Sequence, residues 1–155
     1  MQEPSSHPIA KRIESWGDFI GVAVATERES LSPRYGGKNG WMITDQFLIQ
    51  STFFTFDVLR LSDLLWAYKT VTRHSVNFIP TGKTYAAVMI CYGGAARIES
   101  SEKTTEEILG FVAQRAPSAI FGFTKELERY FNKNTSDFCA VVEQRKRELA
   151  QVLQA

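Results

Sequence analysis

The sequence predicts an α+β fold: a small antiparallel barrel or sheet of six or seven strands, with a helix before it and two or three helices after it. Three observations carry this. Between about residues 41 and 99, short runs rich in β-branched and aromatic residues alternate with turn-forming residues. No helical pattern separates these runs, so the strands must pair largely antiparallel. From about residue 104 the apolar positions change to helical spacing and keep it.

The bulk composition bounds the rest. A chain of 155 residues suits a single domain, expected over 9–155 behind a disordered tail at 1–8. With 44% hydrophobic residues it can build a substantial core. Eighteen basic residues stand against 17 acidic ones, a net charge of +1. That balance argues against a dedicated nucleic-acid binder, which carries a clear basic excess. Cys91 and Cys139 form no Cys-x-x-Cys pair and no disulfide framework, as expected of a reduced intracellular protein. The polar, Pro-containing start MQEPSSHP lacks the pattern of a signal peptide, so none is expected, and no apolar run is long enough to cross a membrane as a helix. A cytoplasmic location is therefore expected.

Along the chain, the N-terminal helical segment and its loop are expected over 9–39. Ile9, Ile13 and Trp16 fall on one helical face, and Gly17-Asp18 breaks that run. Asp18 can then cap a second helix, FIGVAVATERE, although GVAVAT also has strand character. SPRYGGKNG is a loop by composition. The strands are expected over 40–100: WMI and FLIQSTFFTFDVL around the turn Thr44-Asp45-Gln46, then LSDLLWAYKTV, RHSVNFI, TYAAVMICYG and ARIES. LLWAY is the segment that could instead be a turn of helix. The helices are expected over 104–153. Thr104 and Glu107 fit a capping box, and Pro117 should stop that helix at Ala116. Thr124 can cap a second helix, and Asp137 opens a third. Phe138, Val141, Val142, Leu149 and Val152 form the apolar stripe of that third helix.

The stretch NFIPTGKT, residues 77–84, ends like a phosphate-binding loop. A Walker A loop needs glycine where this chain has Asn77, and Pro80 removes one of the amides that would wrap the phosphates. An apolar β-like segment follows it, where a helix N-terminus should face the phosphate. Pro80-Thr81-Gly82 reads better as the turn of a hairpin joining HSVNFI to TYAAVMI.

Other chemistry is thin. His74 and Cys91 could in principle form a base and nucleophile, but Cys91 sits inside the apolar run VMICY. No cluster has metal-ligand spacing, and no cofactor is expected. The acidic run Glu99, Glu102, Glu106 and Glu107 lies at a helix start, where it complements the dipole. Phe53, Phe54, Phe56 and Trp66 are expected in the core, since no basic residues are interleaved as base stacking requires. The candidate ligand-binding residues are Lys69, Arg73, His74 and Lys83, which gather at the two strands that meet in the hairpin. Such a group suits a phosphorylated head group or an anionic membrane surface, unless it is an ordinary charged rim.

The pieces LLWAYK, NFIPTGKTY and APSAIFGF, in this order within residues 16–147, resemble an uncharacterised bacterial family whose barrel is similar to the pleckstrin-homology-like fold. The resemblance implies a small barrel plugged by a helix, with Ile108, Leu109 and Val112 on the plug face. It implies no activity and transfers no functional residue. Extra helices before and after the barrel depart from that fold and put its usual lipid-binding loop in doubt.

The expected function is a non-enzymatic binding or scaffolding module that engages a protein segment or an anionic lipid surface, with no catalytic residues. One alternative is a small enzyme acting on a phosphorylated substrate through His74 and Lys83. Another is a structural homodimer built on the C-terminal helix.

Overall fold

The computed structural model describes residues 15–38, 40–51 and 56–154. The expected tail at 1–8, the helical positions Ile9 and Ile13, and Phe53 and Phe54 lie outside the described residues. The chain divides into two compact units, Met1–Arg60 and Leu61–Ala155.

In the first unit, α1 (Phe19–Ser30) settles the helix-or-strand ambiguity in favour of helix. Asp18 decides it locally, because its carboxylate accepts from the amides of Ile20 and Gly21. Four strands follow as an antiparallel meander: β1 (Tyr35–Gly36), β2 (Trp41–Ile43), β3 (Phe47–Ser51) and β4 (Phe56–Arg60). Gly36 has a positive φ of 77°, and a Cβ there would run into the carbonyl oxygen of Trp41. The alternate residues Phe47, Ile49 and Val58 form the core, packed by Trp16, Val22, Ala25 and Met42. Trp16 lies in a turn, stacks on Phe47 at 6.1 Å, and carries the Arg60 guanidinium over its ring at 5.3 Å. At the far end of α1, Glu29 accepts from the Thr44 hydroxyl and from the Gln46 backbone and side-chain amides. The turn Thr44-Asp45-Gln46 is tied to the helix in this way.

The second unit opens on a 3₁₀ turn, Leu61–Asp63, and runs into two thirteen-residue strands, β5 (Leu64–Val76) and β6 (Ile79–Cys91). LLWAY is therefore strand. β7 (Gly94–Ser100) pairs with β6. After α2 (Glu102–Arg115), the short strand β8 (Ile120–Phe121) pairs parallel to β5. α3 (Lys125–Lys133) and α4 (Thr135–Gln154) complete the chain. α2 packs on β5, β6 and β7 through Thr105, Ile108 and Val112. Leu65, Trp66, Phe138 and Val142 form a core, joined by aromatic side chains of α3. Trp66 meets Phe138 at 5.8 Å and Phe131 at 5.7 Å, and its indole donates to the Gly122 carbonyl at 2.7 Å.

Several expectations need correction. The strands do not form a single sheet of six or seven. Eight strands among the described residues form two four-stranded sheets, ordered β1-β2-β3-β4 and β7-β6-β5-β8, with no closed barrel. A 3₁₀ turn after Arg60 stands between β4 and β5, which belong to different sheets. One edge is parallel, because α2 serves as the crossover that brings β8 back beside β5. The first C-terminal helix starts at Glu102, ahead of its expected cap at Thr104. Ser101 is the cap, accepting from the Thr104 amide at 3.1 Å. The helix ends at Arg115, as Pro117 requires. Thr124 caps α3 by accepting from the Leu127 amide. Of the stripe on α4, Phe138 and Val142 are buried, while Val141, Leu149 and Val152 are exposed.

Candidate functional site

The four candidate residues lie on the β5–β6 hairpin, and its construction decides how they are presented. β7 pairs with β6 only from Tyr85 to Cys91, and β8 pairs with β5 only at Trp66 and Ala67. From the pair Thr72 and Thr84 outward, the two strands therefore pair with each other alone among the described residues. Residues 71–83 are exposed throughout. At the usual rise per residue, the stretch from Thr72 to Val76 makes a free arm about 13 Å long.

The arm's turn lies nearer the N-terminus than the expected one. Val76 pairs with Ile79, leaving a two-residue turn of Asn77 and Phe78, with φ of 49° and 65°. This is the twist-matched turn of tight hairpins, which requires positive φ at both central positions and usually places glycine at the second. Pro80-Thr81-Gly82 instead forms a bulge. His74 pairs with Gly82 and Ser75 with Pro80, so Thr81 is the extra residue. Proline is tolerated at such a bulge on an open edge. Gly82, Lys83 and Thr84 lie within a strand and continue into its ladder, not into a helix.

Arg73 and Lys83 are direct cross-strand partners. Their Cβ atoms are about 5 Å apart, on one face of the ribbon. Like charges directly opposite each other destabilise a sheet. Among the described residues neither forms an ion pair that would offset this. Lys69 shares their face but is held differently. Its ammonium lies 2.7 Å from Glu106 and 3.6 Å from Glu102 on α2, and the hydrogen bond to Glu106 raises its pKa. His74 follows Arg73 in the strand, so it points to the opposite face, where Nε2 lies 2.6 Å from the Thr84 hydroxyl. The structure thus brings Arg73 and Lys83 together, ties Lys69 to the body, and turns His74 away.

Sequence reasoning missed the arm's apolar tip. Val76 and Ile79 are 61% and 67% exposed, and Phe78 is 101% exposed. The available signal was a bulky Phe directly after Asn, between two strand-like segments.

The concavities described lie elsewhere. The largest, about 730 Å³, is in the first unit, lined by Arg28, Glu29, Arg34, Asp45 and Gln46 among others. None of the three includes an arm residue in its lining. Among the described residues, no three His, Cys, Asp or Glu side chains gather as a metal site.

The arm falls inside a match to a known family that spans residues 38–131. The chain belongs to the family described as Domain of unknown function (DUF6709). The family's region runs from just before β2 into α3 and takes in both LLWAYK and APSAIFGF. These two pieces meet physically, because β8 pairs with β5 and the Gly122 amide donates to the Ala67 carbonyl at 2.9 Å. Neither the curated proteins nor the solved structures include a match to the chain.

Proposed function

We propose that the protein is a non-enzymatic binding module whose β5–β6 arm engages an anionic membrane surface. The single observation that carries this is the Arg73–Lys83 pair. Two cations held opposite each other, solvated and with no acidic partner among the described residues, lower the arm's own stability. An anionic surface supplies the missing counter-charge. From Thr70 to Tyr85 the arm has no acidic residue, so nothing on it repels such a surface.

Further features support the module over an enzyme. His74 and Lys83 lie on opposite faces of a two-stranded ribbon, whereas a catalytic pair must converge on one reacting atom. The resemblance to the pleckstrin-homology-like fold and a bacterial origin belong to this proposal. An antiparallel sheet with a helix, α2, packed across one face supports the first of these. A cytoplasmic location fits the two free cysteines.

The test is co-sedimentation with phosphatidylserine-containing and with neutral phosphatidylcholine vesicles, at low and moderate salt. Pelleting with the anionic vesicles that weakens as salt rises is expected. Equal pelleting with both vesicle types would reject a charge-directed surface. A second reading has its own observation: Val141, Leu149, Val152 and Leu153 leave part of α4 apolar and exposed. A homodimer across that helix predicts twice the monomer mass in solution.

A further inference from the structure

The charged pair explains attraction to a surface, but not the residues beyond it. The arm ends in Val76, Phe78 and Ile79, all exposed, whereas Leu64, Leu65, Trp66 and Met89 on the same two strands are buried. Phe78 makes the arrangement more pointed. It occupies a left-handed backbone position that disfavours side chains and that glycine fills without strain. Nothing local compensates, because its ring is fully solvated and packs on nothing. An exposed aromatic at a strained position is a cost to folding, which points to a role outside the fold.

The order of chemistry along the arm is also specific. Apolar residues lie at the extreme tip, the cations Arg73 and Lys83 lie behind them, and the polar threonines Thr72 and Thr84 follow. A bilayer read outward from its centre has the matching order: hydrocarbon, then anionic head groups, then water. The rise along a strand places the cations about 10 Å behind the turn. That exceeds the roughly 5–8 Å of one head-group layer, half the difference between the full bilayer and its hydrocarbon core, so cations held at the head groups leave the tip long enough to reach the acyl boundary.

We infer that the arm is a membrane-insertion finger: Phe78, with Val76 and Ile79, enters the acyl boundary of an anionic bilayer while Arg73 and Lys83 hold its head groups. The inference rests on the proposed anionic surface and adds a penetrating contact to it. Insertion ends the exposure of the three apolar side chains, and the two-residue turn keeps the inserted tip narrow. The bulge at Thr81 breaks the straight ladder just behind it, which discourages the arm's open edges from pairing with other strands.

Two variants of one residue make the test. Phe78→Gly removes the ring at a position where glycine fits the turn, so the fold is retained. Phe78→Trp keeps an aromatic at the tip. With phosphatidylserine-containing vesicles at moderate salt, Phe78→Gly is expected to bind at least about tenfold more weakly than the wild type, the effect of losing one buried aromatic. Phe78→Trp should bind like the wild type, and bromine on the acyl chains should quench the added tryptophan emission. Phe78→Gly binding as tightly as the wild type, or an emission from Phe78→Trp untouched by acyl bromine, would overturn insertion while leaving the charge-directed surface in place. A wild-type protein that ignores vesicles of every composition would overturn both and assign the tip to a protein pocket.

Discussion

Phe78 concentrates the trade between stability and use in a single residue. A left-handed conformation costs an ordinary residue about 1–2 kcal/mol, and glycine there gives back part of the gain through its more flexible unfolded chain. Phe78→Gly is therefore expected to raise the unfolding free energy by about 1 kcal/mol, read as a higher midpoint in urea. A drop instead would show that the ring supports the fold. Tyr92 makes a second prediction at this scale. Burial, the neighbouring Cys139 and Glu143, and a hydrogen bond to Glu143 hold its phenol well above the usual tyrosine range. The folded state thus favours the protonated phenol. This stabilisation is complete below the unfolded pKa of about 10 and is lost as pH rises from there towards the folded value. Tyr92→Phe should lose less stability than the wild type between about pH 9 and pH 11, the window around that unfolded value. Some loss should persist, since burial first and Glu128 next also raise Tyr68. Parallel alkaline profiles for the two proteins would contradict this.

At the scale of elements, the helix starts show what was legible and what was not. Asp18 and Thr124 announce their caps in the sequence, because each precedes a helical apolar pattern and has the right side chain. The α2 start is less readable. SSEKTTEE offers several capping residues in a row, and Ser101 is the one whose hydroxyl meets the Thr104 amide. Ser101→Ala should cost about 1 kcal/mol, and Thr104→Ala less than about half of that, in thermal unfolding. The reverse order would return the cap to Thr104. The hairpin was visible as two β-rich segments around turn residues, but its turn was misplaced. Pro80-Thr81-Gly82 carries the stronger turn chemistry, yet strand register is set by pairing along the whole ladder. A bulge absorbs Thr81 and leaves the reversal to Asn77 and Phe78. The parallel strand β8 is two residues long, too short for any alternation to reveal it.

For the whole molecule, near-zero net charge conceals a local arrangement. The sequence shows four basic residues near one hairpin. It does not show that α2 brings Glu102 and Glu106 onto Lys69, or that strand alternation separates His74 from Arg73 and Lys83. Both depend on tertiary packing and register. The split into two sheets was likewise hidden, because only three residues lie between the last strand of one sheet and the first strand of the other. What survives of the candidate site is a two-cation pair behind an apolar tip. Each cation near an anionic surface strengthens binding about fivefold. The most direct measurement is binding to phosphatidylserine-containing vesicles at low salt by the wild type and by an Arg73→Glu, Lys83→Glu double variant, with Lys69→Ala as a control. At least about 25-fold weaker binding is expected for the double variant, with little change for Lys69→Ala, whose charge is already engaged by α2. Equal binding by all three proteins would contradict it.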